Sequence, residues 1–150
     1  MRIVIQRVSQ AEVKVEGNSV GSIEKGLLVL LGIENNDDQS DLEWLVNKLL
    51  NLRIFNNNQN IMNHSLLEEK GELMVISQFT LMAATKNGNR PSYVRAANKE
   101  IAILLYEQFV NLAEEKLGSK VIKGAFGREM KVSLLNDGPV TIIIDSKNRE

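Results

Sequence analysis

Between Gly26 and Ile33 the chain reads GLLVLLGI, eight residues without a polar side chain. A bilayer-spanning helix needs about 20 apolar residues, so this run does not cross a membrane as one. A strand with one wet face would alternate apolar and polar positions, and this run does not. It therefore predicts a strand over Leu27–Ile33 at the centre of a sheet, covered on both faces. The cover must come from the rest of a 150-residue chain, a length suited to one domain and one core, residues 1–150.

The surrounding pattern supplies it. Ile3 and Ile5 alternate with Val4 and Gln6, and Val13 and Val15 with Lys14 and Glu16, which predicts strands punctuated by Gly17-Asn18 and Gly21. Ser40, with Glu43 three residues on, fits a capping box. Behind it Leu42, Leu45, Val46 and Leu49 form one apolar helical stripe. Asn56–Asn60 reads as a turn, and Leu73–Phe79 as another apolar strand. A second helix is predicted from about Asn98. Its buried face would be Ile101, Leu104, Leu105, Phe109, Leu112 and Leu117, with Gly118 at its C-terminal end. Strands near Val121, over Val132–Leu135 and over Val140–Asp145 finish the chain. This is an α+β pattern with mixed strands and two main helices.

Much conventional chemistry is excluded. The chain has no cysteine, hence no disulfide, zinc-thiolate site or cysteine nucleophile. One histidine, His64, cannot make a two-histidine metal site, and its polar neighbours Asn63 and Ser65 place it at the surface. The paired carboxylates Asp37-Asp38, Glu68-Glu69 and Glu114-Glu115 lie in polar stretches and are expected to face solvent. No phosphate-binding P-loop or dinucleotide glycine fingerprint is present. Gly124-Ala-Phe-Gly127 matches the GXXG of KH domains, without their helix context. Net charge is −1, so no global field favours nucleic acid. Locally, though, Lys86, Arg90 and Arg95 stand in a stretch without an acid from Ser77 to Lys99. That stretch is either a solvated basic loop or a phosphate contact. The N-terminus lacks a signal-peptide layout, so a cytoplasmic location is expected.

Two places break local rules. In Ser77-Gln78-Phe79-Thr80-Leu81, polar residues end a strand that should run into the core. An unpaired buried hydroxyl or amide costs about 1–3 kcal/mol, so such groups are bonded or face a cleft. Threonine being a good strand residue is the alternative. In Asn136-Asp137-Gly138-Pro139-Val140-Thr141, one of only two prolines follows a glycine between two predicted strands, where a turn is expected.

SQFTL at 77–81 and NDGPVT at 136–141 resemble the paired signatures of the D-aminoacyl-tRNA deacylase family, the D-Tyr-tRNA deacylases. IQRV at 5–8, GLLVLLGI at 26–33, RIF at 53–55, RPSY at 90–93 and MKVSLL at 130–135 stand in the family's order and spacing. The resemblance spans essentially the whole chain. It implies a mixed, partly barrel-like sheet with two main α-helices, and a cytoplasmic homodimer without cofactor or metal. It implies hydrolysis of the ester of D-aminoacyl-tRNA, releasing free D-amino acid and tRNA, as chiral proofreading. Catalysis would fall to Ser77, Gln78, Phe79 and Thr80. Chiral selectivity would fall to a cis Gly138–Pro139 turn reaching into the partner's active site. Phe126 and Met130 would contact the terminal adenine, and Arg7 would support the Gly-Pro turn in the substrate site.

Nothing in SQFTL supplies a base to activate the Thr80 hydroxyl. The family picture instead has the ribose 2′-hydroxyl helping to activate water, with backbone N–H groups near Phe79 and Thr80 holding the oxyanion. A clash at Gly138 and Pro139 would reject the L form and leave the D side chain loosely read. Glycine would then escape the clash, so glycyl-tRNA mischarged on non-cognate tRNA becomes a second expected substrate. Two other readings stand beside this one: a threonine-dependent hydrolase of small esters or amides, and a non-catalytic RNA-binding module.

Overall fold

The apolar run forms β3, Gly26–Gly32, in a computed structural model that describes the whole chain, Met1–Glu150. It is hydrogen-bonded on both edges. The long strand β1, Arg2–Val15, pairs antiparallel with it from Arg2↔Gly32 to Val8↔Gly26. On the other edge β6, Glu72–Ser77, pairs parallel from Gly26↔Glu72 to Leu31↔Ser77. β7, Ile122–Lys123, extends the parallel part. β2, Asn18–Ile23, pairs with the second half of β1. β1 and β2 are joined at Glu16 and Gly17, both at positive φ, 51° and 81°, the two-residue turn that suits twisted hairpins. β8, Lys131–Asp145, runs antiparallel along β1 from Arg2 to Lys14. β2 and β3 thus follow one another along one edge of β1, and β8 occupies the other. The sheet curls until Ile122 of β7 packs on Gly21 of β2, which nearly closes it into a barrel. A small ladder of β4, Phe55–Asn56, and β5, Met62–His64, stands apart.

Both faces of β3 are covered. Leu27, Val29 and Leu31 lie in the larger core with Ile3, Ile5, Leu73 and Val75, under two helices. Leu28 lies in a second core with Val8, Val13, Ile23, Met74 and Ile76. Helix α1, Gln39–Asn51, buries the predicted stripe of Leu42, Leu45, Val46 and Leu49. Its cap is not Ser40. Asp38 accepts from the N–H of Ser40 and Asp41, and the Asp41 carboxylate accepts from the Asp38 N–H, so the box closes two residues earlier. A short helix α2, Leu66–Glu69, precedes β6. Helix α3, Lys99–Leu117, starts at Asn98, whose side chain accepts from the Ile101 N–H, and ends at Gly118 in the left-handed region. Leu104 is 59% exposed, against its predicted burial, and Tyr106 takes a core position, its hydroxyl donating to Val75 O at 2.8 Å.

Two further expectations need correction. Asp37 does not face solvent: it is buried, accepts from the Met1 amino group and the Glu34 N–H, and burial pushes its carboxyl above the usual range. The segments around residues 132–135 and 140–145 are one strand. From Val8↔Asn136 to Gln6↔Thr141, β8 uses three more residues than β1, so the Gly-Pro motif is a bulge within a continuing ladder instead of a turn between strands.

Candidate active site

The pairing of β6 with β3 ends at Ser77↔Leu31. The Gln78 N–H still donates to Leu31 O at 2.8 Å, and the chain then tightens into a 3-10 turn at Phe79–Met82. The turn crosses Gly32 so closely that a Cβ there would lie 2.9 Å from Leu81 Cβ and 3.1 Å from Gln78 O; only glycine admits it. Two donors result. As the opening residues of such a turn, Phe79 and Thr80 carry N–H groups that the turn itself leaves unpaired.

Beside this turn lies a cleft of about 360 Å³. Ser77, Gln78 and Phe79 form one wall, Phe126, Gly127, Arg128 and Met130 the opposite one, with Leu31 and Ile76 between them. Phe126 is half-buried and leans on Tyr106, ring centroids 5.6 Å apart. Phe79 is 59% exposed and meets Tyr93 edge-on at 5.1 Å. Arg128 is the only ionisable residue in the lining and is paired with Glu16. His64 sits elsewhere, its Nδ1 2.9 Å from Glu69 Oε1. Lys25 and then His64 hold the Glu69 carboxyl below the usual range. The cleft therefore offers one hydroxyl, one carboxamide and backbone N–H groups, with no carboxylate or imidazole to act as a base.

Thr80 stands apart from its neighbours. It lines an adjoining groove with Arg2, Leu81 and Ile142, and its Oγ1 accepts from Gln78 Nε2. An amide donor on a hydroxyl oxygen draws charge from it, the opposite of activation by a base.

Gly138 and Pro139 are exposed and outside the cleft. Ser77, Leu31, Ile3 and Ile144 form one row across four strands, while the bulge lies beyond Gln6. With strands about 4.8 Å apart and residues about 3.3 Å apart along them, the path along the sheet from bulge to cleft in one chain is on the order of 20 Å. Arg7 holds the bulge from below. Only 6% exposed, it donates through Nε to Asp137 O at 3.1 Å and through a terminal nitrogen to Ile54 O at 2.5 Å. Gly138 has φ +114°, and a Cβ on it would lie 2.5 Å from the Arg7 guanidinium. The expected cis bond is absent: Gly138–Pro139 is trans. Trans is favoured by about 0.5–1 kcal/mol before proline, and here the positive φ of Gly138 supplies the change of direction.

Of the basic residues, Arg95 is engaged by Glu34 at 2.9 Å. Lys86 and Arg90 form no ion pair and lie exposed on a loop closed by the Ala84–Ser92 bridge. Sequence reasoning missed Arg128 and Tyr93 as neighbours of the site. No periodicity marks them, because loop folding alone brings them there.

The architecture is a curled mixed sheet with helices on one face and a base-free cleft at a strand end, and it is shared with solved structures. One described as c-Myc DNA Unwinding Element Binding Protein matches with TM-score 0.93 at 37% identity, covering 97% of this chain and 98% of that one. One described as a probable eukaryotic D-amino acid tRNA deacylase matches in fold with TM-score 0.82 at 20% identity, covering 95% of this chain and 97% of that one. In sequence, proteins named D-aminoacyl-tRNA deacylase from Flavobacterium psychrophilum and Bacteroides thetaiotaomicron are 58% and 56% identical over 150 residues, the full length of both chains in each case. The profile of the family described as D-Tyr-tRNA(Tyr) deacylase matches residues 4–145. The chain belongs to that family.

Proposed function

We propose that this protein hydrolyses the ester bond of D-aminoacyl-tRNA, releasing the D-amino acid and tRNA, as a homodimer whose two sites each use both subunits. Family membership supports the reaction, and one observation carries the assembly. Within one chain Gly138 and Pro139 take no part in lining the cleft at the Ser77–Phe79 turn, and the path between them along the sheet is on the order of 20 Å, so in this reading a second copy brings its bulge to the cleft. The outer edge of β8 is free to receive that copy. It is an edge strand of 15 residues with Leu135 and Ile143 exposed, a surface that soluble proteins usually cover.

In this reading the terminal adenine enters between Phe126 and Met130, and the ester carbonyl lies over the 3-10 turn. Water, helped by the ribose 2′-hydroxyl, attacks the carbonyl carbon. The N–H groups of Phe79 and Thr80 receive the developing oxyanion, each worth about 2.7–4 kcal/mol in comparable sites. Collapse of the tetrahedral intermediate expels the 3′-oxygen, which takes up a proton, and frees the amino acid. A base-free cleft supports this division of labour. Gly138 and Pro139 of the partner subunit crowd the position of an L side chain; a D side chain points away, and glycine passes. Lys86 and Arg90 meet tRNA phosphates. A charged-tRNA substrate places the work in the cytoplasm.

Deacylation of D-tyrosyl-, L-tyrosyl- and glycyl-tRNA, measured side by side, tests this. D-tyrosyl- and glycyl-tRNA are expected to be hydrolysed and the L form spared; efficient hydrolysis of L-tyrosyl-tRNA overturns the selectivity, and intact D-tyrosyl-tRNA overturns the activity. A D-tyrosyl-tRNA ending in 2′-deoxyadenosine is expected to be stable, and undiminished turnover on it removes the 2′-hydroxyl from the mechanism.

A further inference from the structure

The Gly138–Pro139 bulge is held by more than Arg7. Its two ends, Asn136 and Thr141, are five residues apart in sequence and face Val8 and Gln6 of β1. Thr141 Oγ1 donates to Gln6 Oε1 at 2.8 Å, and Asn136 Nδ2 donates to the same Thr141 oxygen at 3.4 Å. One hydroxyl thus ties the two ends of the bulge to each other and to β1. Gln6 and Arg7 are adjacent on a strand, so their side chains leave opposite faces of the sheet. Arg7 grips the bulge from one face, through Asp137 O, and Gln6 from the other, through Thr141. The Oδ1 of Asn136 is buried without a donor. That is a cost to the fold, which the chain carries at the point where the bulge closes.

We propose that Asn136, Thr141 and Gln6 form a clasp that fixes the shape of the bulge, and that they are positioning residues for the discrimination of D from L. The inference rests on the reading that Gly138 and Pro139 exclude the L side chain. Three extra residues in a ladder have many available conformations, and exclusion by clash works only if the obstacle stays still. A freed bulge yields to an L side chain but still admits a D one. Loss of the clasp therefore raises hydrolysis of the L substrate and leaves that of the D substrate nearly as it was.

The test is Thr141→Val, which keeps the branched shape and removes the hydroxyl, beside Thr141→Ser, which keeps the hydroxyl. kcat/KM is measured on D- and L-tyrosyl-tRNA, with Pro139→Ala as a reference. The expected result is a fall in the D-to-L ratio of about tenfold or more, equivalent to a single 1.36 kcal/mol change in barrier, in Thr141→Val and recovery in Thr141→Ser. A purely structural role would lower both substrates together and leave the ratio in place. If Pro139→Ala loses discrimination and Thr141→Val keeps it, the clasp is overturned and the role of the bulge stands. If the wild-type protein does not discriminate, the reading of the bulge falls and the clasp with it. Should Thr141→Val not fold, Gln6→Met removes the same acceptor from the other strand and is judged by the same ratio.

Discussion

Arg7 is a cation with little water, and its role in the bulge follows from that. A buried guanidinium is tolerable when its donors are used, and here they reach two main-chain carbonyls and the Asp137 carboxylate, 3.3 Å away. Arg7→Met keeps the stem and removes the fork. It leaves Ile54 O and Asp137 O without their donors, so stability is expected to fall by about 2–3 kcal/mol, read from the urea midpoint. Arg7→Lys should restore less than half of this, because one ammonium cannot serve both carbonyls in the geometry of a planar fork. A result equal to wild type for Arg7→Lys would mean that charge alone matters. Thr80 gives the opposite case. Its hydroxyl accepts from Gln78 and has no base beside it, so Thr80→Ala is expected to keep more than about a tenth of wild-type kcat, since in the proposed mechanism the N–H that serves the oxyanion belongs to the main chain. Background activity in that variant would make the hydroxyl the nucleophile.

At the scale of elements, the closure of β1 on β8 reaches the turn at the candidate site through one side chain. Arg2 holds Asp145 Oδ2 through Nε at 3.0 Å and a terminal nitrogen at 2.8 Å, and its other terminal nitrogen donates to Leu81 O at 2.9 Å. Burial pushes the Asp145 carboxyl up, but the Arg2 hydrogen bonds and charge outweigh it and hold the group below the usual carboxylate range. A carboxyl lowered on folding stabilises above its unfolded value of about 3.9, and that contribution is lost as pH falls through the folded value. Urea midpoints of the wild type should therefore drop below about pH 4, and Asp145→Asn should be less stable at pH 7 with a shallower acid limb. An unchanged acid limb would show that the pair contributes nothing. How much of these elements the sequence discloses depends on how local their causes are. β3, the α1 stripe and the Asn98 and Gly118 ends of α3 depend on neighbours within a few residues, and all are legible. The α1 cap is less so, because Asp38 and Asp41 offer the same spacing as Ser40 and Glu43. β8 is not legible as one strand: Gly138 and Pro139 punctuate it like a turn, and only pairing with β1, more than a hundred residues away, carries the ladder past them. The same holds for the site. Polar residues at the end of β6 announce a cleft, but no local pattern marks Phe126 and Met130 as its far wall: only the family resemblance singles them out, and tertiary packing brings them there.

On the scale of the whole molecule, the proposed tRNA substrate is an anion far larger than the cleft, and the chain would meet it with a net charge of −1. Eight of its 18 lysines and arginines are already engaged: Arg2, Arg7, Lys14, Lys25, Arg95, Lys123, Arg128 and Lys147 all face carboxylates. Lys86 and Arg90 are not, and their loop is anchored beside the cleft because Tyr93, three residues from Arg90, packs on Phe79. Three residues span at most about 11 Å, so Arg90 lies within reach of the nucleotides next to a terminal adenosine held in the cleft. Each phosphate neutralised adds about 0.7–0.9 to the slope of log affinity against log salt, by counterion release. The double variant Lys86→Ala, Arg90→Ala should therefore raise KM for D-tyrosyl-tRNA and reduce that slope by about 1.5. D-tyrosyl-adenosine has no phosphate, and its hydrolysis should show no such slope in either protein. The comparison separates the loop from the site. If the double variant keeps the wild-type slope on tRNA, the two cations only solvate the loop; if it instead loses hydrolysis of D-tyrosyl-adenosine, the loop acts on the cleft through Tyr93 and Phe79 and not on the phosphates.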